Sequence, residues 1–189
     1  MLKKLAELEP NFVKRLFARW SRNEDLRSWA SGLIGERITG RRLARLGPQW
    51  KVLHAVQWAS GSDIDHLAVG PAGVFAINSK RHKGKAVWYG DRAITVNRVP
   101  TRHIAISLSE AQRIARVLTR HCGFSVPVKP AIAVVQAAKL TVKNAAPPVL
   151  VVDAGDLVRR LAGMSPVLSS DQVARIYEVA RNARTWERG

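Results

Sequence analysis

The run from Ser62 to Lys80, SDIDHLAVGPAGVFAINSK, constrains this chain more than any other. Two strand-forming stretches flank Gly70-Pro71-Ala72-Gly73, a combination that turns a chain back on itself. Side chains alternate faces along a strand, so Asp63, Asp65, Leu67 and Val69 share one face. Val74, Ala76, Asn78 and Lys80 share one face of the partner strand. A turn symmetric about Pro71-Ala72 sets Asp65 opposite Asn78 and Asp63 opposite Lys80. Opposite residues hold their Cβ atoms roughly 4.5–5.5 Å apart. Carboxylate, amide and ammonium then gather in one patch, where a strand of this kind would usually carry apolar residues. A bulge at Gly73 would shift the pairing by one residue but leave the alternation intact.

Charge narrows the choice of partner. The chain carries 31 Lys+Arg against 14 Asp+Glu, a formal charge of +17 over 189 residues. Such an excess favours nucleic acid first and an acidic membrane surface second. The ordinary alternative is a solvated basic surface. With 47% hydrophobic and 24% charged residues the chain can bury a core, and its length suits one domain with an appended terminal element. Cys122 is the sole cysteine, which excludes an intramolecular disulfide and a cysteine-cluster zinc site. No apolar run approaches the roughly 18 residues of a bilayer span, and the N-terminus lacks a signal-peptide apolar core. The expected location is the cytoplasm, without integral membrane association. The chain contains no G-x-G-x-x-G, no phosphate-loop motif and no G-x-S-x-G, which disfavours a nucleotide-cofactor oxidoreductase and a serine hydrolase.

Along the chain, Phe12, Val13, Leu16, Phe17 and Trp20 recur at helical spacing, with Lys14, Arg15, Arg19 and Arg22 opposite. This helix packs onto the domain or onto a second copy, a homodimer; a membrane-surface or nucleic-acid-binding arm is the alternative. A second helix is predicted over 24–46, with Leu26, Trp29, Leu33, Gly40 and Leu43 inward and Gly47-Pro48 as its stop. Glu36 falls on or beside that face, where a carboxylate needs a cation; a salt bridge to Arg41 or Arg42 is the plain explanation. A strand is predicted over 50–59, and a hairpin over 86–88 and 93–96. Its approach carries Arg81, His82, Lys83 and Lys85, and Trp88 follows. Basic residues beside an exposed aromatic suit phosphate contact and base stacking, and equally a protected sheet edge. A helix over 101–121 has Gln112 next to its apolar stripe and Arg113, Arg116 and Arg120 on another side. Strands follow at 131–135 and 149–152 with a polar stretch between, then two helices, the last capped by Ser169-Ser170-Asp171. His54 and His66 have no partner at metal-ligand spacing and read as structural or exposed.

GERITGRRLARL, then the Ser62–Lys80 run followed by Gly84, then the Gln112 helix and the 131–135 strand together resemble the nuclease-related domain (NERD) family. That family is a branch of the PD-(D/E)XK nuclease superfamily. The resemblance divides the chain into an N-terminal basic helical extension (1–30), a nuclease-like core (31–136) and a C-terminal part (137–189) that completes or extends the same domain. It implies an α/β fold, a restriction-endonuclease-like mixed β-sheet flanked by helices. It also implies Mg²⁺- or Mn²⁺-dependent hydrolysis of a nucleic-acid phosphodiester, DNA above all. Glu36 and Asp65 match the family's acidic metal ligands, Asn78 stands where the pattern usually has Asp or Glu, and Lys80 matches the motif lysine. Gln112 is similar to a glutamine on the following helix of related nucleases. An amide at 78 can lend a carbonyl oxygen to a cation but brings no charge. Two outcomes follow: an enzyme with weakened metal binding, or a nuclease-fold module that only binds nucleic acid. Arg41, Arg42, Arg45, Arg81, Lys83, Lys85, Trp88, Arg113 and Arg116 are the candidate contacts to the nucleic acid.

Overall fold

Alternation along the central hairpin builds a sheet that is apolar on both faces. A computed structural model of the protein describes residues 23–90, 93–143 and 146–187; the amphipathic helix expected over 1–22 lies outside the described residues. β1 (Lys51–Gln57), β2 (Asp63–Gly70) and β3 (Gly73–Arg81) form an antiparallel meander. β7 (Val128–Val135) adds to β3 in parallel and β9 (Leu150–Asp153) adds to β7, giving the order β1-β2-β3-β7-β9. Leu67 pairs with Ala76 and Val69 with Val74, the register symmetric about Pro71-Ala72. Gly73, at φ 120°, closes the turn without shifting that register.

The two faces bury different helices. Leu67, Val69, Val74 and Ala76 pack against Ala111, Ile114 and Leu118 of α2 (His103–Cys122) and Val173 and Ile176 of α4 (Ser170–Ala180). Ala68, Phe75, Ile77 and Ala133 pack against Leu43 of α1 (Asn23–Leu43) and Leu157 and Leu161 of α3 (Leu157–Ala162). A second sheet, ordered β6-β5-β4-β8, comprises β4 (Ala86–Tyr89), β5 (Ile94–Val96), β6 (Val99–Pro100) and β8 (Lys139–Val142). Its Val87, Tyr89 and Ile94 pack on Ile132, Val134 and Val151. The second sheet therefore covers β7 and β9 on the same side as α2. The result is mixed α/β, two mixed sheets flanked by helices, consistent with a restriction-endonuclease-like fold. Among the described residues no helix is long and apolar enough to cross a membrane.

Two sequence expectations change here. The stretch after residue 136 is not simply polar: it contains β8, paired in parallel with β4. Only Leu140 of that strand packs against the core, so no alternation marked it. Trp29 is 40% exposed rather than inward. The buried row of α1 is Gly35, Thr39 and Leu43. The reason is the approach at Gly35, where a Cβ would lie 3.2 Å from the Arg81 Cβ. A glycine there lets the helix lie on β3 along that row. Gly40, on the face expected inward, meets the side chains of His54 and His66. Helix α1 runs unbroken across residue 30, and β9, beyond residue 136, is an edge strand of the main sheet, as a C-terminal part that completes the same domain requires.

Candidate active site

The row of β2 and β3 that faces α2 changes character along its length. Near the turn it is Leu67, Val69, Val74 and Ala76, under the apolar stripe of α2. Toward the open end the same alternation brings Asp65, Asn78 and Lys80. Helix α2 changes in step: past Ala111 toward its N-terminus come Glu110, which reaches Asn78, and the buried Ser107, before Ile104 packs with the second sheet. Asn78, only 7% exposed, donates from Nδ2 to Glu110 Oε2 at 2.5 Å. Asp65 accepts the main-chain N–H of Ser79 at 2.7 Å through Oδ2. The ladder pairs of β2 and β3 end at His66–Ile77, so Asp65 faces the neighbourhood of Asn78 as a side chain serving an amide, not as its ladder partner. Asp63 is exposed and pairs with Gln57 of β1, and the β2–β3 ladder stops short of the expected Asp63–Lys80 pair.

Glu36 arrives from α1. The tight contact of Gly35 with Arg81, and its nearness to Ser79, lays that turn of the helix on the end of β3. The electrostatic neighbours of Glu36 are Asp65, Asp63 and Lys80, rather than Arg41 or Arg42. Burial first, then the repulsion of Asp65 and Asp63, pushes the Glu36 carboxyl up to about 7, against the pull of Lys80. Glu110 is pushed up to about 7 in the same way: burial raises it most, the Asn78 hydrogen bond and Lys80 oppose, and Asp65 and Asp63 add to the rise. Asp65 is also raised, by burial first, with Lys80 and the Ser79 amide holding it down. Burial thus raises all three carboxyls, and the Lys80 charge opposes the rise in each.

Histidines line two sides of this cluster. Beneath it, on the α1 face, His54 Nδ1 meets His66 Nδ1 at 2.7 Å and His66 Nε2 meets Ser79 Oγ at 3.2 Å. Burial and His54 push His66 down to about 3, so it is a neutral tie between β1, β2 and β3. Beside Lys80, His82 and His103 lie with ring centroids 5.6 Å apart. Burial first, then Lys80 and His82, holds His103 down at about 4, and His82 is lowered by burial, Lys85 and Lys80.

The remaining candidates are placed as follows. Gln112 is exposed. It lies two residues past Glu110, about 200° further round the helix, and the α2 side chain that reaches Asn78 is Glu110. Nothing in the sequence marked Glu110, because its partner is 32 residues away. Arg81 ties α1 to the end of β7 by donating to Ser31 Oγ and Gln136 Oε1, at 3.1 and 2.7 Å. The Arg113 guanidinium lies 3.8 Å over the Trp58 ring. Arg41, Arg45, Lys83, Lys85, Trp88 and Arg116 are exposed, and Arg42 is half-buried.

Among the described residues no three His, Cys, Asp or Glu side chains group closely enough to form a ready metal cage. The donor set nevertheless suits a hard cation that keeps several of its waters, which needs only one or two carboxylates from the protein. Glu36, Asp65 and Glu110 offer carboxylate oxygens, Asn78 a carbonyl oxygen, and two of the acids are held near 7 by burial and crowding that a cation would relieve.

A family model described as nuclease-related domain matches residues 31–135, more than half of the chain. No curated protein and no solved structure matches the chain significantly.

Proposed function

Because the chain belongs to the nuclease-related domain family, we propose that it hydrolyses nucleic-acid phosphodiesters, DNA in particular, in a reaction dependent on Mg²⁺ or Mn²⁺. The observation that carries this reading is the convergence of Glu36, Asp65 and Glu110 on Asn78 and Lys80, at the carboxyl end of β3. Open α/β sheets commonly bind ligands at that end of their strands. Glu36, Asp65, Glu110 and the Asn78 carbonyl are the groups that would hold the ion. When bound, the ion supplies a water of lowered pKa and positive charge against the phosphate oxygens.

The chain's own groups do the rest. The Ser79 amide orients Asp65, and the Asn78 amide orients Glu110. The Glu110 carboxylate, when ionised, supplies the negative charge that Asn78 lacks. The Lys80 ammonium holds the attacking water or meets charge developing on the phosphate. The bond that forms joins a water oxygen to phosphorus; the bond that breaks is the phosphorus–oxygen ester, whose oxygen leaves with a proton. The formal charge of +17 supplies long-range attraction for a polyanion. The same reading puts the work in the cytoplasm, on nucleic acid rather than on a membrane.

Purified protein incubated with plasmid DNA and Mg²⁺ or Mn²⁺ is expected to cut it, and EDTA to stop the cutting. Asp65→Ala and Lys80→Ala should each lower the rate about 100-fold or more, the scale of losing one preorganised transition-state contact. Cutting at wild-type rate by both variants would show that the site lies elsewhere. Salt-steep binding of DNA with no cutting under any divalent ion would favour a module that only binds.

A further inference from the structure

The outer face of the second sheet carries an arrangement that hydrolysis does not require. The Trp88 indole lies over Gly90, where a Cβ would fall 2.1 Å from the ring. Glycine at 90 lets the indole lie along its own strand, and the ring stays 44% exposed. Thr95 stands opposite Trp88 on β5. The β5–β6 hairpin turns at Asn97-Arg98, both with positive φ, 48° and 70°. Such two-residue turns favour Asn followed by Gly, so an arginine in the second place holds a backbone conformation that glycine would adopt without cost. The turn is pinned to β4 on both sides: Ala86 N donates to Asn97 Oδ1 at 2.9 Å, and Asn97 N to Ala86 O at 2.8 Å. Ala86, Trp88, Thr95, Asn97 and Arg98 line one concave pocket.

The pocket combines an aromatic platform, a fixed turn that positions an arginine, and an amide. Among the described residues the pocket lining carries one cation, Arg98, and no acidic side chain. Neither an apolar ligand nor a cation uses both the indole and the Arg98 guanidinium. A nucleotide does: its base has a face to stack on an indole, and its phosphate pairs with a guanidinium. In continuous duplex both faces of each base are covered by neighbouring base pairs, so only an unpaired nucleotide presents one. We infer that the Trp88–Arg98 pocket seats an unpaired nucleotide, its base on the indole and its phosphate on the guanidinium. The protein then takes single-stranded or frayed nucleic acid in preference to uninterrupted duplex. This rests on the nucleic-acid reading above and names the form of substrate.

The test is binding in EDTA, where no cutting occurs. A labelled oligothymidylate of about 20 nucleotides, longer than one such site, is compared by fluorescence anisotropy with a duplex of equal length. Wild-type protein should bind the single strand more tightly. Trp88→Ala should lower the ratio of single-strand to duplex affinity about tenfold or more, the range for loss of one stacked base. Trp88→Phe should keep most of that ratio. Arg98→Gly preserves the turn while removing the cation, and should reduce the salt slope of single-strand binding by about 1. Circular dichroism and a melting curve on each variant establish that it folds. Equal affinity of wild type for both forms, or an unchanged ratio in folded Trp88→Ala, overturns the inference. Because the readout needs no catalysis, a protein that fails to cut but shows these ratios keeps the inference and loses only the nuclease reading.

Discussion

The two ends of the β2–β3 hairpin make an instructive pair. They belong to the same strands and share the face toward α2. At the turn end Leu67, Val69, Val74 and Ala76 are at most 1% exposed and serve the core. At the open end Asp65, Asn78 and Lys80 hold charge in a partly buried place. The strand backbone is alike at both ends; the difference lies in what meets it. Ala111 and Ile114 cover the first end, while Glu110 and Glu36 reach the second. One end spends its burial on stability and the other on crowding like charges, which destabilises the fold unless a cation arrives.

That contrast is sharpest in substitution. Leu67→Ala should cost about 2–5 kcal/mol, the usual range for a large apolar side chain removed from a packed core. Chemical denaturation of the purified variant measures it. Asp65→Ala, one turn of the alternation away, should cost less stability than activity. A denaturation midpoint that falls as far for Asp65→Ala as for Leu67→Ala would erase the distinction between the two ends.

A subtler expectation follows from the raised carboxyls. Glu36 and Glu110 have folded pKa values of about 7, above the ordinary glutamate value of 4.5. Between those two values the folded chain binds more protons than the unfolded one, so metal-free stability should fall as pH rises from about 4.5 through 7. Glu36→Gln or Glu110→Gln should therefore stabilise the metal-free protein at pH near 8, by about 1–2 kcal/mol. The gain should vanish below pH near 4, where the acids are protonated in both states. Thermal melts across that range in EDTA read both signs. The stabilising effect of added Mg²⁺ should run the same way, larger at pH near 8 than near 5. A melting temperature for Glu110→Gln that tracks wild type at every pH would mean that the crowding is relieved by solvent.

The smallest expected effects separate neighbours on α2. Glu110→Ala should lower cutting about tenfold or more, while Gln112→Ala, on the exposed side, should stay within about twofold. The reverse order would restore the glutamine as the helix residue of the site.

Much of this was readable along the chain, and the boundary has a physical cause. Period-2 alternation is a local property, so the shared face of Asp65, Asn78 and Lys80, and the register about Pro71-Ala72, followed from the hairpin alone. Glu36 was legible as a costly carboxylate on a helix, and the spacing of the set placed it in a family. The Ser169 cap, completed as a box with Gln172, is likewise local. Three things were not. Glu110 becomes a site residue only because α2 crosses β3 with its first turns over Asn78, and a helical stripe does not say which strand residue each turn will cover. The short β8 has too little apolar alternation to announce itself, and exists because β4 offers a parallel edge. Trp29 obeyed helical spacing yet turned outward, because Gly35 set the rotation of α1 through one close contact with Arg81. Spacing along the chain determines which side chains can share a face; only packing between elements decides which faces meet, since contact distance and crossing depend on residues far apart in sequence.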